Sequence, residues 1–293
     1  MMTHIIKNFI KLKSERQITN QFYDFENLIY KENPKCDFVV SSNQSPFKVT
    51  DEDDTQSSNY KGLLYFNENS RSLRIKALIR EKEKLNIEDL KQVLFDTKVI
   101  KPIIRNVDFS TLFSLNEQEY PKLSQLLSIL KNWDGNADLN SKGAALFSLI
   151  YHHYKEKYYV SSKNPDTIQI AGIEEIINCL IWTSEYHKPE MTLKDIQFIK
   201  RGNIVFPING IPDSVNSVRP YFQKGKLYAE EGGAFRLIIN LKDRQIFVCH
   251  PFGSSTNLDD ENSINQMKLF VNNQYREIKD FDFYKKNYKY YNL

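Results

Sequence analysis

The chain has 293 residues, enough to bury a sizeable core in one large domain or two smaller ones. Apolar residues make up 41% and charged residues 26%, ordinary values for a soluble globular protein. The net charge is only +3, with 40 basic and 37 acidic residues interspersed, so no electrostatic footprint for nucleic acid stands out.

No run approaches the ~18 apolar residues of a membrane span, and residues Met1 to Arg16 lack the continuous apolar segment of a secretory signal. Cys36, Cys179 and Cys249 are odd in number and widely spaced, which suggests neither a disulfide framework nor a zinc motif. They read as small buried hydrophobes.

In chain order, residues 1–35 are polar, with a short helix expected around Ile5 to Leu12. Asp37 to Ser41 reads as a strand leading into Ser42-Asn43-Gln44-Ser45-Pro46, and Thr50 to Asn59 as an acidic loop. A helix is expected from Ser70, with Leu73, Ile75, Leu78 and Ile79 on one face. Asn86 followed by Asp89 is a cap signature for a helix carrying Leu90, Val93 and Leu94. Further helices are expected over Leu123 to Leu130, Ala144 to Tyr159 and Ile173 to Trp182. Arg201 to Val218, rich in Gly, Pro and Asn, reads as an extended loop. Lys226 to Ala229, Ala234 to Ile239 and Gln245 to Cys249 read as strands, with Asn240 to Arg244 as a hairpin connection and Asn265 to Val271 as a closing helix. Helices followed by strands favour an α+β fold over a doubly wound α/β one.

The most distinctive stretch is Leu130-Lys131-Asn132-Trp133-Asp134-Gly135, continuing through Ser141 to Phe147. Asp-Gly is a turn signal, and Ser141 can cap the apolar run that follows. The stretch also resembles the Trp-Asp-Gly…Ser…Ala segment of the penicillin acylase family of N-terminal nucleophile hydrolases, which includes acyl-homoserine lactone acylases. Three more segments follow that family's order. Ser41 to Pro46 is similar to its Ala-Asn-Asn-x-Pro segment. Ser70-Arg71-Ser72-Leu73-Arg74-Ile75 is similar to its Arg-x-x-Arg-Ile helix start, with Asp96 in the family's Asp position further on. Gly233 to Leu241, then Pro251 to Ser255, resemble its Gly-x-Ser-x-Arg strand and its Pro-x-Gly-Gln-Ser-Gly turn. Two departures stand out: the Gln-Ser-Gly turn is Ser254-Ser255, and a Ser-Pro-His-Tyr segment is replaced by Asn257-Leu258-Asp259-Asp260.

The resemblance implies part of an αββα sandwich with a helical insertion. Its core segment would be residues 1–95, the insertion 96–200, and a β-rich return 201–293. It implies hydrolysis of a linear amide, an acyl group being released from an amine. Asn43 would lend its side-chain amide to the oxyanion, a donor typically worth roughly 3 kcal/mol. Arg71 would lie beside the reacting centre, and Arg74 would support it. Read without the family, Asn43 is a turn residue after a strand, and Arg71 is a surface charge at a helix start.

The family's nucleophile is an N-terminal Ser, Cys or Thr whose own α-amino group acts as base. None of the 42 residues before Asn43 resembles that strand. The expectation is therefore a truncated or split catalytic subunit that associates with a nucleophile-bearing part, or a non-catalytic remnant or binding subunit. No cofactor is expected. Asp51 to Asp54 could contribute to the family's calcium site, but reads better as a solvated loop. His152 and His153, about 100° apart on a helix, read as a buried or interfacial pair, and His250 as a structural residue. The tail Phe281 to Leu293, rich in Tyr, Phe and Lys, reads as a terminal strand or frayed end rather than a nucleic-acid surface.

Overall fold

The computed structural model describes residues 31–51, 68–161 and 167–279. The chain divides into two units: Met1–Glu68 with Asn164–Asp166, and Asn69–Lys163 with Thr167–Leu293. The expected helix at Ile5 to Leu12, most of the acidic loop and the tail from Phe281 lie outside the described residues.

Within the first unit, the expected strand Asp37 to Ser41 is not one: no strand occurs among its described residues. A strand needs a ladder of partners; among the described residues the backbone of this segment pairs with a neighbouring stretch only through Val40 N–H to the Val49 carbonyl, at 2.7 Å. A short 3-10 turn, Pro46–Lys48, follows, capped by Ser45 Oγ, which accepts from Phe47 N–H.

The second unit opens with α1 (Ser70–Arg80) and α2 (Ile87–Leu94). Asn69 caps α1 by accepting from Ser72 N–H at 2.9 Å. The expected apolar face of α1 is only half-buried, whereas Ser70, Ser72 and Lys76 are buried. Ion pairs of its arginines, described below, orient this helix more than an apolar stripe does. The Asn86–Asp89 signature of α2 forms a reciprocal capping box: Asp89 N–H donates to Asn86 at 3.0 Å, and Asn86 N–H to Asp89 at 2.9 Å.

Next come β1 (Ile103–Ile104), β2 (Val107–Asp108), α3 (Ser110–Ser114), α4 (Ser124–Lys131), α5 (Lys142–Lys157), β3 (Gln169–Ile170) and α6 (Ile173–Ser184). Every residue of α5 from Gly143 to Tyr151 is buried. A helix apolar on all sides belongs inside, and α5 is the axis of the larger core. Phe109, fully buried, meets Phe147, Tyr151 and Tyr154 edge-on at 5.1–5.9 Å. The Tyr154 hydroxyl is satisfied inside this core. It donates to Glu175 Oε2 at 3.0 Å and accepts from Gln169 Nε2 at 2.8 Å.

The strand block holds α7 (Leu193–Ile196), β4 (Gln197–Arg201), β5 (Ile204–Pro207), β6 (Val218–Gln223), β7 (Lys226–Gly232), β8 (Arg236–Asn240), β9 (Gln245–Cys249), α8 (Met267–Val271) and β10 (Arg276–Ile278). One sheet runs β5-β4-β7-β6, another β10-β9-β8, and a small third one β1-β2-β3. The expected loop Arg201 to Val218 is thus corrected. Its first half is the β4–β5 hairpin, in register Arg201↔Ile204 to Phe198↔Pro207. The short Gly-Asn connection inside it disguised two strands as one loop. Along β8, Arg236 and Ile238 point inward while Leu237 and Ile239 are exposed. Phe235 and Leu241 extend that exposed apolar row. A second core gathers Phe95, Ile199, Val218, Cys249, Met267 and Phe270. No disulfide forms; Cys179 and Cys249 are buried as expected, and Cys36 is half-buried. Among the described residues no helix is long and apolar enough to cross a membrane.

Candidate functional site

The Trp-Asp-Gly turn is built around one ring. Trp133 Nε1–H donates to the Asn136 carbonyl at 2.7 Å, and the indole packs on Phe147 at 5.3 Å and Phe113 at 6.4 Å. Asp134 accepts from Asn136 N–H at 2.9 Å, a bond that holds its carboxyl below the usual range. Gly135 has φ +82°, and a Cβ there would meet the Val99 carbonyl oxygen at 2.5 Å. Ser141 Oγ accepts from Ala144 N–H at 3.1 Å, capping α5 as the sequence suggests. The stretch is scaffold: it sets the position of α5.

Arg71 and Arg74 lie one turn apart on α1, hence on one face. Arg74 forks onto Asp96, just past α2: Nε to Oδ1 at 3.0 Å and Nη2 to Oδ2 at 2.8 Å. The same Oδ1 accepts from Lys98 N–H at 3.0 Å. This bidentate bond raises the Arg74 pKa further, against partial burial. Arg71 faces a second carboxylate, with Nε 3.7 Å from Asp213 Oδ1. Asp213 sits at φ +63° and accepts from Arg105 N–H at 2.5 Å. Arg74 also has the exposed Glu81 carboxylate 3.7 Å away, and the shared helix fixes the spacing of the two arginines.

Asn43 belongs to the first unit. It is exposed and takes the left-handed conformation, φ +67°, which Asn tolerates better than most residues. The buried amide of Gln44 builds the loop beneath it. Gln44 Nε2 donates to the Val40 carbonyl at 2.5 Å, and Oε1 accepts from Ser42 N–H at 2.6 Å and Ser42 Oγ at 3.1 Å. A loop closed from inside holds position 43 outward. The expectation that Asn43 ends a strand is corrected: it ends an extended segment held by Gln44.

One part of the second unit was not legible in the sequence. A cleft of about 330 Å³ is lined by Arg105, Tyr151, His152, Lys155, Arg219 and Glu231, among others. Tyr151 is 6% exposed. Burial holds this phenol protonated and pushes His152 towards its neutral form. Arg219 is paired with Glu231 at 2.8 Å. Arg105 gives this cleft a side chain and Asp213 a backbone donor, so the cleft and Arg71 share a neighbour. His152 was noticed only as half of a histidine pair. Both rings pack near Trp182: His153 stacks on it at 4.4 Å, and His152 lies 6.4 Å from it and tilted on Phe222 at 5.7 Å. No cluster of His, Cys, Asp or Glu among the described residues could hold a metal ion. His250 is half-buried at the end of β9, its pKa lowered by burial and by Arg276.

The Gly233 to Leu241 motif forms the loop before β8 and the strand itself, and Pro251 to Ser255 is a turn in which Ser254 Oγ accepts from Asn265 Nδ2 at 3.0 Å.

No curated protein matches the sequence. Among solved structures, the chain is similar to a thermostable penicillin G acylase from Alcaligenes faecalis, with 13% identity and a TM-score of 0.42. That match covers 89% of this chain, which spans 57% of the length of the acylase chain. A family profile described as penicillin amidase matches residues 11–282. That match takes in Asn43, Arg71, Arg74, the Trp133 turn and the β8 strand, nearly the whole chain, and on this evidence the chain belongs to the penicillin amidase family, a family of amide hydrolases.

Proposed function

We propose that this chain carries the oxyanion and positioning half of an acylase centre that cleaves a linear amide C–N bond. In this reading a nucleophilic hydroxyl or thiol adds to the amide carbonyl, and the carbonyl oxygen becomes negative. The Asn43 carboxamide donates an N–H to that oxygen, and Arg71 is the supporting cation. The amine departs with a proton, and water then releases the acyl group as a carboxylic acid. Arg74 acts through its fork on Asp96, which holds α1 and so the placement of Arg71. The αββα layering and the helical insertion belong to the same reading.

The observation that carries it is the two-acid arrangement on α1, within a family match that spans nearly the whole chain. Two arginines one turn apart, Arg74 forked onto Asp96 and Arg71 within 3.7 Å of Asp213, form an ion-paired edge rather than a solvated helix face. The nucleophile is supplied, in this proposal, by a polypeptide segment outside these residues. The exposed apolar row Phe235, Leu237, Ile239 and Leu241 supports such an association, because a sheet face of this kind is normally covered. The second reading, a non-catalytic binding subunit, draws on the altered Ser254-Ser255 turn.

The test uses an acylated chromogenic amine. The chain alone is expected to give no turnover. Co-expressed with a family segment bearing a processed N-terminal Ser, it is expected to release the chromophore. Asn43→Ala is then expected to lower kcat by about 10²–10³-fold with little change in KM. Turnover by the chain alone, or an Asn43→Ala complex as fast as the parent, would overturn the proposal. A stable complex with no turnover would favour the binding subunit.

A further inference from the structure

Arg236 is the most unusual charge among the described residues. It lies on the inward face of β8 and is 6% exposed, yet no carboxylate among the described residues pairs with it. Its guanidinium carbon stands 3.9 Å from the ring centre of Phe95 and 4.5 Å from that of Phe270. Two aromatic faces thus stabilise the cation without neutralising it. Nη2 donates to Asn216 Oδ1. That amide is oriented by its own Nδ2, which donates to Asn209 Oδ1 at 2.8 Å. Nη1 is buried with no acceptor among the described residues. Nearby, Tyr275 stands edge-on to the same Phe95 ring at 5.3 Å, and its buried hydroxyl also has no partner among them.

Burying a guanidinium without a counter-charge is costly, and leaving its N–H groups unmet adds to that cost. Burial lowers the Arg236 pKa to about 10, so the group is still cationic at neutral pH. Cys249, its cross-strand partner in the β8–β9 ladder, offers no negative charge, because burial raises its thiol to about 11. A water molecule could accept one N–H but would leave the charge uncompensated. Two unmet hydrogen-bond groups and one unmet positive charge against a single ring call for a small acceptor-only species. Phe95 and Tyr275 also line an open cleft of about 560 Å³, with the Lys91–Glu88 ion pair, 2.7 Å apart, at its wall.

We propose that Arg236 and Tyr275 form a binding site for a small monovalent anion, of the size and charge of chloride. The ion accepts from Arg236 Nη1–H and from the Tyr275 hydroxyl, and the Phe95–Phe270 pair shields it from solvent. The site is separate from the amide chemistry and does not depend on it.

The experiment compares thermal unfolding of the full chain in sodium chloride and in sodium gluconate at equal ionic strength. Chloride is expected to raise Tm saturably, and gluconate, too large to enter, is not. Arg236→Gln should abolish the chloride-specific rise. Tyr275→Phe, which keeps the ring on Phe95, should weaken the apparent chloride affinity by about tenfold. If Arg236→Gln does not fold, Tyr275→Phe decides alone. Crystals soaked in bromide should show an anomalous peak beside Nη1. Superimposed chloride and gluconate curves would overturn the site, as would a chloride response unchanged in Tyr275→Phe.

Discussion

Gly143→Ala sets two effects of known sign against each other. Gly143 is the second residue of α5, so replacing it with Ala should help the helix by up to about 1 kcal/mol. A Cβ built there falls 2.2 Å from Trp133 Cγ and 2.5 Å from its Cδ1. Neither atom can yield cheaply, because the indole is wedged against Phe147 and Phe113 and tied to the Asn136 carbonyl. Moving the ring by more than an ångström breaks that hydrogen bond, at about 1 kcal/mol. It also disturbs the packing, at roughly 1–3 kcal/mol. The net expectation is a loss of roughly 1–3 kcal/mol, or a Tm lower by about 3–10 °C for a unit of this size. Thermal melts followed by circular dichroism measure it. A second arm makes the change in a Trp133→Leu background, where the clash is gone and the helix gain should appear as a neutral or positive shift. The reasoning fails if Gly143→Ala melts at or above the parent temperature. It fails equally if the cost persists once Trp133 is removed.

Other expectations follow from the same geometry. Asp96→Asn keeps the shape but removes the charge from the Arg74 fork, leaving a half-buried guanidinium facing an amide. Stability should fall by roughly 1.5–3 kcal/mol in urea titrations. An unchanged midpoint would show that the fork does not hold α1. Burial lowers the pKa of His152, His153 and His187, so each is held neutral in the fold. The unfolded chain takes up protons near pH 6.5, before the folded one does, and stability is therefore full above that pH and falls as the pH drops below it. The urea midpoint should decline from pH 7.5 to 5.5. His187→Gln should flatten part of that decline, since neither His187 ring nitrogen has a hydrogen-bond partner among the described residues. A midpoint level across this range would contradict the burial argument.

Local signals in the sequence were reliable where the answer is local. The capping box Asn86–Asp89 and the Ser141 cap depend only on residues within one turn, and both formed as read. The β8–β9 hairpin formed because its alternation and its Asn240-Leu241-Lys242-Asp243-Arg244 connection agree. The helical run around Ala144 is so uniformly apolar that burial could be anticipated, although not that its partner would be Phe109, far back in the chain. The strand at Asp37 and the loop at Arg201 failed for one reason: a strand exists only through its partners, and partners are not written in the strand.

The same limit governs the candidate site. Composition, caps and the ordered motifs were enough to point to the family, and they single out Asn43, Arg71 and Arg74 as the proposed site residues. They could not show that Asp96 and Asp213 stand beside the two arginines, that Tyr151 and Arg105 line one cleft, or that Arg236 is buried between two phenylalanines. Hydrogen-bond reach is a few ångströms, and a chain records only what is close along itself. Which distant groups share a few ångströms is settled when α5 and the sheets pack, and that packing turns a row of residue types into placed charges.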